Sequence, residues 1–504
     1  MKISITKIIF IFLAIASLPA CFDFLDRKPM GQYTEDDYSG GSTEGEVMGL
    51  YAKTRAEGIC GLQFIAIHSI RSDDAIKGSS LTDDIAAEQM YDYFKYVTNN
   101  WLLEGYWTDH YALIHQANNV IDLIETSGNI DPGMLVNKAE AKFMRAYAYF
   151  NLIRTFGEVP KIDFKITDES QANIPKSSVS EIYTLIDDDL KEAASSLPAT
   201  WDPKYLGRLT SGAAKALQAK TFLARDNWAG AYSAATSVIA SKVYNLNTPY
   251  NKIFKEEGEN CSESVFEIQA KYTQSEQYGV NHAQVQGVRA AGNWNLGWGW
   301  NTPSSDFANN GFKDRNDPRK AATLLYAGET TEYNETVPEK TSEVPRDYWN
   351  RKIYTNPSVR RDANSLQGQW MNVRIIRYAD VMLMAAEAAN EMGGEDKIKE
   401  ALGYLNEVRN RAGGGNIVPL KETGDRNILR GYIRDERRAE FGMEYERFFD
   451  LVRWGKGSIT PNIDVTILGA VSNNNYQIKH RLLPIPQKEI DKSNGVLVQN
   501  PDYQ

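Results

Sequence analysis

Apolar residues recur at helical spacing through most of this chain. Trp107, Tyr111, Ile114, Ile121 and Ile124 fall on one face of a helix. A second long helix is predicted from Ala139 to Thr155, rich in alanine and carrying Phe143, Tyr147 and Phe150, and Gly157 and Pro160 stop it. After Ile433, Phe441, Tyr445, Phe448 and Val452 form another stripe, which predicts one helix with Glu444 and Arg447, and Asp450 and Arg453, three apart and able to pair.

Two stretches read as versions of one unit, an Ala-rich helix, a break and a second Ala-rich helix. The first runs from Ala213 through Leu217, Phe222 and Ala224, breaks near Asn227 and resumes at Ala231 to Ala240. The second runs from Tyr378 through Met382, Ala385 and Ala389, breaks at Gly393-Gly394 and resumes from Ile398 to Ala412. Each spans about 30 to 35 residues, near the tetratricopeptide period, and small alanines at facing positions let paired helices approach closely. The fold class expected is all-α, a scaffold of such helix pairs.

Between the two units, Ser262 to Asn372 departs from this pattern: Gly, Asn, Tyr and Trp are dense and helical periodicity is largely absent. A scaffold does not need such a segment, and long irregular excursions in compact proteins are often functional. Within it, Trp294, Trp298 and Trp300 place three of the ten tryptophans in seven positions, with glycines between them that free the backbone to present the rings.

The 504 residues are 42% hydrophobic and 24% charged, enough for a large core, which excludes intrinsic disorder and a small disulfide scaffold. The first twenty residues stand apart: Lys2 and Lys7 are their only charges, and Ile8 to Ala20 is an apolar run too short to span a bilayer. Leu18-Pro19-Ala20-Cys21 follows as a small residue and then cysteine, like a lipobox in which Cys21 becomes a lipidated N-terminus. Removing the signal leaves 54 basic against 66 acidic residues, a net charge of −12. No Lys/Arg-rich run tracks phosphates, so nucleic acid is not an expected partner. Lipid would be the only membrane attachment. Cys60 and Cys261 are 201 positions apart with no flanking pattern and read as isolated thiols, with pairing as the alternative.

No reaction is legible. Asp435, Glu436, Glu440 and Glu444 lie close together, but their spacing does not set two carboxylates facing each other across a bond, and a structural role is expected. His110 and His115 are five apart, on different faces of a helix, and no zinc motif, nucleophile elbow or phosphate loop appears. Neither a metal nor a cofactor is expected, and the chain is read as a non-enzyme.

Several blocks together resemble the SusD/RagB family of outer-membrane nutrient-binding lipoproteins. After Cys21 come Phe24-Leu25-Asp26, Pro29 and Thr34. Ala139 to Phe150, continuing to Phe156-Gly157-Glu158-Val159-Pro160, is similar to the family's N-terminal block. Arg377-Tyr378-Ala379-Asp380 and Val408-Arg409-Asn410-Arg411-Ala412 follow, then Ile433-Arg434-Asp435-Glu436-Arg437-Arg438-Ala439-Glu440-Phe441 with Glu446 to Gly455, and finally Leu483-Pro484-Ile485-Pro486 and Asn500-Pro501. The resemblance covers the mature chain. It implies four tetratricopeptide-like helix pairs supporting a loop-rich half with the ligand site, a glycan or related nutrient as ligand, and a SusC-like TonB-dependent transporter over which the protein closes like a lid.

On that basis residues 1–20 are expected to be a lipoprotein signal, 21–45 a lipidated tether, 46–260 an N-terminal region and 261–504 a C-terminal region of one compact unit. The function expected is capture of oligosaccharides at the outer membrane surface and their delivery to the transporter. The alternative is a helical scaffold that holds proteins and binds no sugar. A sugar ring offers an apolar C–H face to an aromatic plane and hydroxyls to amides or carboxylates. That chemistry singles out Trp294, Trp298 and Trp300 with Asn293 and Asn295, and a second surface at Asp73, Tyr96 and Trp101. Trp107 and Tyr111 read as core.

Overall fold

The computed structural model describes residues 43–503; the signal, Cys21 and most of the expected tether lie outside them. Helix α1 (Thr43–Lys53) opens the described chain, within the last positions of that tether. The periodic segments then form α2 (Trp101–Glu125), α3 (Pro132–Phe156), α4 (Val179–Ser196), α5 (Ser211–Leu223) and α6 (Trp228–Ala240). After the irregular segment come α7 (Tyr378–Met392), α8 (Glu395–Arg411), α9 (Arg426–Phe441) and α10 (Arg447–Lys456).

Local chemistry fixes the ends of these helices. Asn100 caps α2 by accepting from the Leu102 and Leu103 amides, and Asp131 caps α3 with Pro132 in its first turn. Ser178 and Glu181 form a reciprocal capping box on α4. Gly157 ends α3 at φ +78°, a conformation in which a Cβ would strain the backbone.

The helices pack in sequence-adjacent pairs, α2 on α3, α3 on α4, α5 on α6 and α7 on α8, with α6 also against α7. Their shared faces bury Phe143, Phe150, Ile186, Leu217, Met382 and Leu405 together with many alanines, and Ile114, Ile121 and Ile124 of the first predicted stripe join the same core. Trp107 is buried and Tyr111 half-buried against it. One polar staple crosses it: Arg145 of α3 donates to both Asp189 oxygens of α4 at 2.8 and 2.7 Å and to Asn118 of α2 at 2.8 Å.

The irregular segment folds into short pieces around two-stranded ladders. Strand β1 (Ala75–Gly78) pairs antiparallel with β3 (Trp300–Pro303), Gly78 opposite Trp300. Strand β2 (Ser264–Ile268) pairs with β6 (Val373–Arg377), and β4 (Leu324–Tyr326) with β5 (Tyr348–Asn350). Both ends of the segment are thus tied to the helical half by the β2–β6 ladder, and its middle is tied to residues 75–78.

The stripe after Ile433 is not one helix. It breaks between α9 and α10, where Met443 and Tyr445 have φ of 68° and 72°. Asp450 and Arg453, both in α10, pair as expected at 2.8 Å. Glu444, in the break, instead accepts from Lys352 and Arg377, and Arg447 turns to Asp73. The helical geometry that brings i and i+3 side chains together is absent once the backbone leaves the helix. Glu440 sits at the centre of a buried ion cluster, accepting from Arg319 and Arg377 at 2.9 Å each and from Arg411. These carboxylates lock α9 to the irregular half and to α8, as the structural reading of the acidic block requires. Cys60 and Cys261 are both free thiols, so the isolated reading holds and the pairing alternative does not.

Candidate functional site

The three clustered tryptophans go to three different environments. Trp300 is buried, its Nε1–H donating to Asp83 at 2.9 Å while Lys77 sits 4.7 Å over its ring. Trp298 is half-buried against the main core, and its backbone N–H donates to Gln284. Trp294 is half-buried, in a short 3-10 turn, with its ring 5.8 Å from that of Tyr354 and within 5° of parallel. Among the described residues the indole N–H of Trp300 has an acceptor, and those of Trp294 and Trp298 have none.

Beside Trp294 the exposed Asn293 lines an open groove of about 390 Å³ whose other walls include Glu335, Arg360, Arg361, Asn364 and Leu366. The polar wall is set in place from behind. Glu335 accepts from the Tyr354 hydroxyl and from Arg360, both at 2.6 Å, and Arg360 also donates to the Thr355 carbonyl at 3.1 Å. Tyr354, itself buried, therefore holds both the ring of Trp294 and the carboxylate of Glu335. Arg361 and Asn364 stand exposed on the rim, Asn364 in the left-handed conformation that ends a short helix at Ala363. Amides, a carboxylate and guanidinium groups line the groove, and the Trp294 indole, whose N–H has no acceptor, lies next in the chain to Asn293; hydrogen-bonding groups of this kind suit a polyhydroxylated ring.

The second expected surface is largely consumed by the fold. Asp73 is buried; burial would raise its pKa, but Arg447 and Arg438 beside it hold the carboxyl down at about 2. Both of its oxygens accept from Arg447 at 2.8 Å, so it has no role left for a ligand hydroxyl. Tyr96 is half-buried, its ring edge-on to His480 and its hydroxyl accepting from Arg71 at 3.3 Å. Trp101, 52% exposed at the start of α2, is the one member of this group standing free. No ring contact or hydrogen bond among the described residues joins Trp101 to Trp294.

His110 is buried, and burial lowers its pKa to about 3, while His115 is exposed against Asn119. Among the described residues no group of three or more His, Cys, Asp or Glu is arranged to hold a metal ion. Tyr354, Glu335, Arg360 and Asn364 were not singled out from sequence. They lie some 40 to 70 positions beyond Trp294 with no periodic link to it, and their membership of the same irregular segment is the only signal that pointed to them.

Comparison with known proteins agrees with this architecture. The SusD family profile matches residues 262–503, and a second profile, described as starch-binding associating with outer membrane, matches residues 23–223. The chain belongs to the SusD/RagB family. Among SusD relatives, SusD-like protein P2 of Formosa agariphila is 27% identical with 99% of each chain covered. Starch-binding protein SusD of Bacteroides thetaiotaomicron is 25% identical over 77% of this chain and 76% of its own. The SusD fold is shared with surface glycan-binding protein A from Bacteroides thetaiotaomicron, solved in complex with laminarihexaose, at a TM-score of 0.75 and 24% identity, covering 91% of this chain and 98% of that one. Surface glycan-binding protein A from Bacteroides uniformis superposes with a TM-score of 0.76 at 23% identity, covering 94% and 100%.

Proposed function

We propose that this protein is a surface lipoprotein of the outer membrane that binds oligosaccharides and passes them to a SusC-like TonB-dependent transporter. The observation that carries the reading is Trp294, half-buried and stacked on Tyr354, next in the chain to Asn293, which lines a groove together with Glu335 and Arg361. A relative named as a starch-binding protein, and a structural neighbour solved with laminarihexaose, support a glycan as the ligand class. The helix pairs serve as a tetratricopeptide-like scaffold for the irregular half, residues 1–20 as an export signal, and Cys21 as the lipidated residue of a tether. The chain binds without altering its ligand: the buried carboxylates of α9, Glu436 and Glu440, are committed to arginines, with Glu440 alone held by three.

Calorimetric titration of the protein with a panel of soluble glucans and other oligosaccharides tests the binding claim. Micromolar or weaker affinity, about −8 kcal/mol or less in magnitude, is expected for a ligand that must be released to a channel. Binding to none of the panel, with a folded protein, would leave the helical scaffold reading in its place. Purification from native membranes in mild detergent tests the hand-over, and recovery without a stoichiometric barrel partner would sink it.

A further inference from the structure

The groove beside Asn293 carries a surplus of positive charge. The short helix Pro357–Ala363, begun by the Asn356 side chain accepting from the Ser358 amide, sets two consecutive arginines, Arg360 and Arg361, on the groove wall. Among the described residues Glu335 is the wall's one carboxylate. It accepts from Arg360 and from the Tyr354 hydroxyl, both at 2.6 Å, so the charge of Arg360 is answered and that of Arg361 is not.

Neither guanidinium is fully used by the fold. Arg360, only 3% exposed, donates through Nη2 to Glu335 and to the Thr355 carbonyl, and its Nε is buried without an acceptor. Arg361 is exposed, and among the described residues its guanidinium meets no acceptor, carboxylate or aromatic ring; Arg315 is the one other described arginine of which this is true. Asp362, next in the chain, forms no ion pair with Arg361 and lies outside the groove wall. Acids outnumber bases by 66 to 56 in this chain, and carboxylates hold arginines throughout the fold. A second carboxylate for this wall was therefore not scarce, yet none is there among the described residues.

Two like charges on one groove wall repel each other, and Glu335 offsets only one of them. A sugar hydroxyl answers a guanidinium with a single oxygen, and it brings a proton that needs an acceptor in turn. An oxyanion brings several acceptor oxygens, no donor and a negative charge. A carboxylate in particular fits the planar guanidinium fork as a bidentate pair. The exposed amides of Asn293 and Asn364, on the same wall, suit the hydroxyls of the ring that carries such a group.

We infer that the groove selects acidic oligosaccharides, an oxyanion on one sugar accepting from Arg361 while Asn293 and Asn364 meet ring hydroxyls. The inference rests on the groove being the saccharide site proposed above, and it narrows the ligand class there. The oxyanion is a uronate carboxylate or a sulfate ester, which share the charge and the acceptor oxygens.

The test is calorimetric titration of the chain carrying Cys21→Ala, with each acid set against its own neutral form. The probes are oligogalacturonate and its methyl ester, a sulfated and an unsulfated dextran oligomer, and laminarihexaose as a further neutral glucan. At least one acid should bind about tenfold or more tightly than its neutral form. Preference for oligogalacturonate assigns the oxyanion as a carboxylate, and preference for the sulfated oligomer alone assigns it as a sulfate. Arg361→Gln, at an exposed side chain without a partner in the fold, should leave thermal unfolding in place and bring that acid and its neutral form to within about threefold of each other. Neutral saccharides bound as tightly as the acids would overturn the inference and leave the proposed saccharide binding standing. An acid preference undiminished in Arg361→Gln would overturn it as well, and binding of none of the probes by a folded protein would overturn both.

Discussion

Asp73 and Arg447, 374 residues apart in the chain, meet in a bidentate pair with both N···O distances at 2.8 Å. Arg438 reaches the same carboxylate at 2.9 Å, so the turn before β1 is clamped to α9 and α10 at once. Asp73→Ala leaves the Arg447 guanidinium buried with only a distant contact to Asp74 at 3.9 Å. We expect a loss of about 3–5 kcal/mol of stability, the usual cost of breaking one partner of a buried pair, in denaturant unfolding. Because the folded pKa of Asp73 is depressed to about 2, its contribution is present above the unfolded value near 4 and disappears as pH falls through 2. The destabilisation by Asp73→Ala should therefore be full at neutral pH and shrink in acid. A variant equal to the parent at pH 7 would refute the clamp.

Trp294 and Trp300 should part company when each is replaced by alanine. Trp300 is buried and hydrogen-bonded to Asp83, so its truncation is expected to cost about 3–5 kcal/mol of stability. Trp294 is only half-buried, and Trp294→Ala should weaken glycan binding by about 1–3 kcal/mol with a smaller change in unfolding than Trp300→Ala. Paired measurements of thermal unfolding and calorimetric affinity check both. If the two variants lose stability alike and Trp294→Ala binds normally, the groove is not the sugar site, and Trp101 is next to test.

The long helices were legible because their burial is local in sequence: periodicity at about 3.6 residues set α2, α3 and the two Ala-rich pairs, and Gly157 and Gly393 set the ends of α3 and α7. The break at Met443 was not, since an apolar stripe continues through it and no glycine occupies the two positive-φ positions. Clustering of Trp294, Trp298 and Trp300 located the loop but not which ring faces outward. That depends on β1, more than 200 residues earlier, which takes Trp300 into a ladder opposite Gly78. Asp73 misled for the same reason: an acid beside tyrosines looks available until arginines from the far end of the chain cover it.

Replacing Cys21 by Ala should release the protein from the membrane fraction. Acyl chains on Cys21 are the proposed anchor; among the described residues no helix is long and apolar enough to cross a bilayer. Several chains on one residue exceed the two needed for stable residence. Fractionation with mass spectrometry of the N-terminal peptide is the check, and a Cys21→Ala chain that stays membrane-bound to the parental extent would exclude lipidation as the attachment.

Asp92 gives the fold a pH dependence of opposite sign to that of Asp73. The Lys77 backbone N–H donates to both of its oxygens, at 2.8 and 3.1 Å, yet burial outweighs this and pushes its pKa up to about 8, with Glu88 adding repulsion. A carboxyl whose folded pKa lies above its unfolded value near 4 favours the folded state most below that value, and this support is lost as pH rises toward about 8. Asp92→Asn keeps an amide oxygen to accept from Lys77 and removes the charge. Its melting temperature should match the parent near pH 4, exceed it increasingly from pH 5 upward, and hold a constant lead above pH 8. A lead that is the same at pH 4 and pH 8, or that shrinks with rising pH, would show that Asp92 is ionised in the fold and already compensated by Lys77 and Arg346.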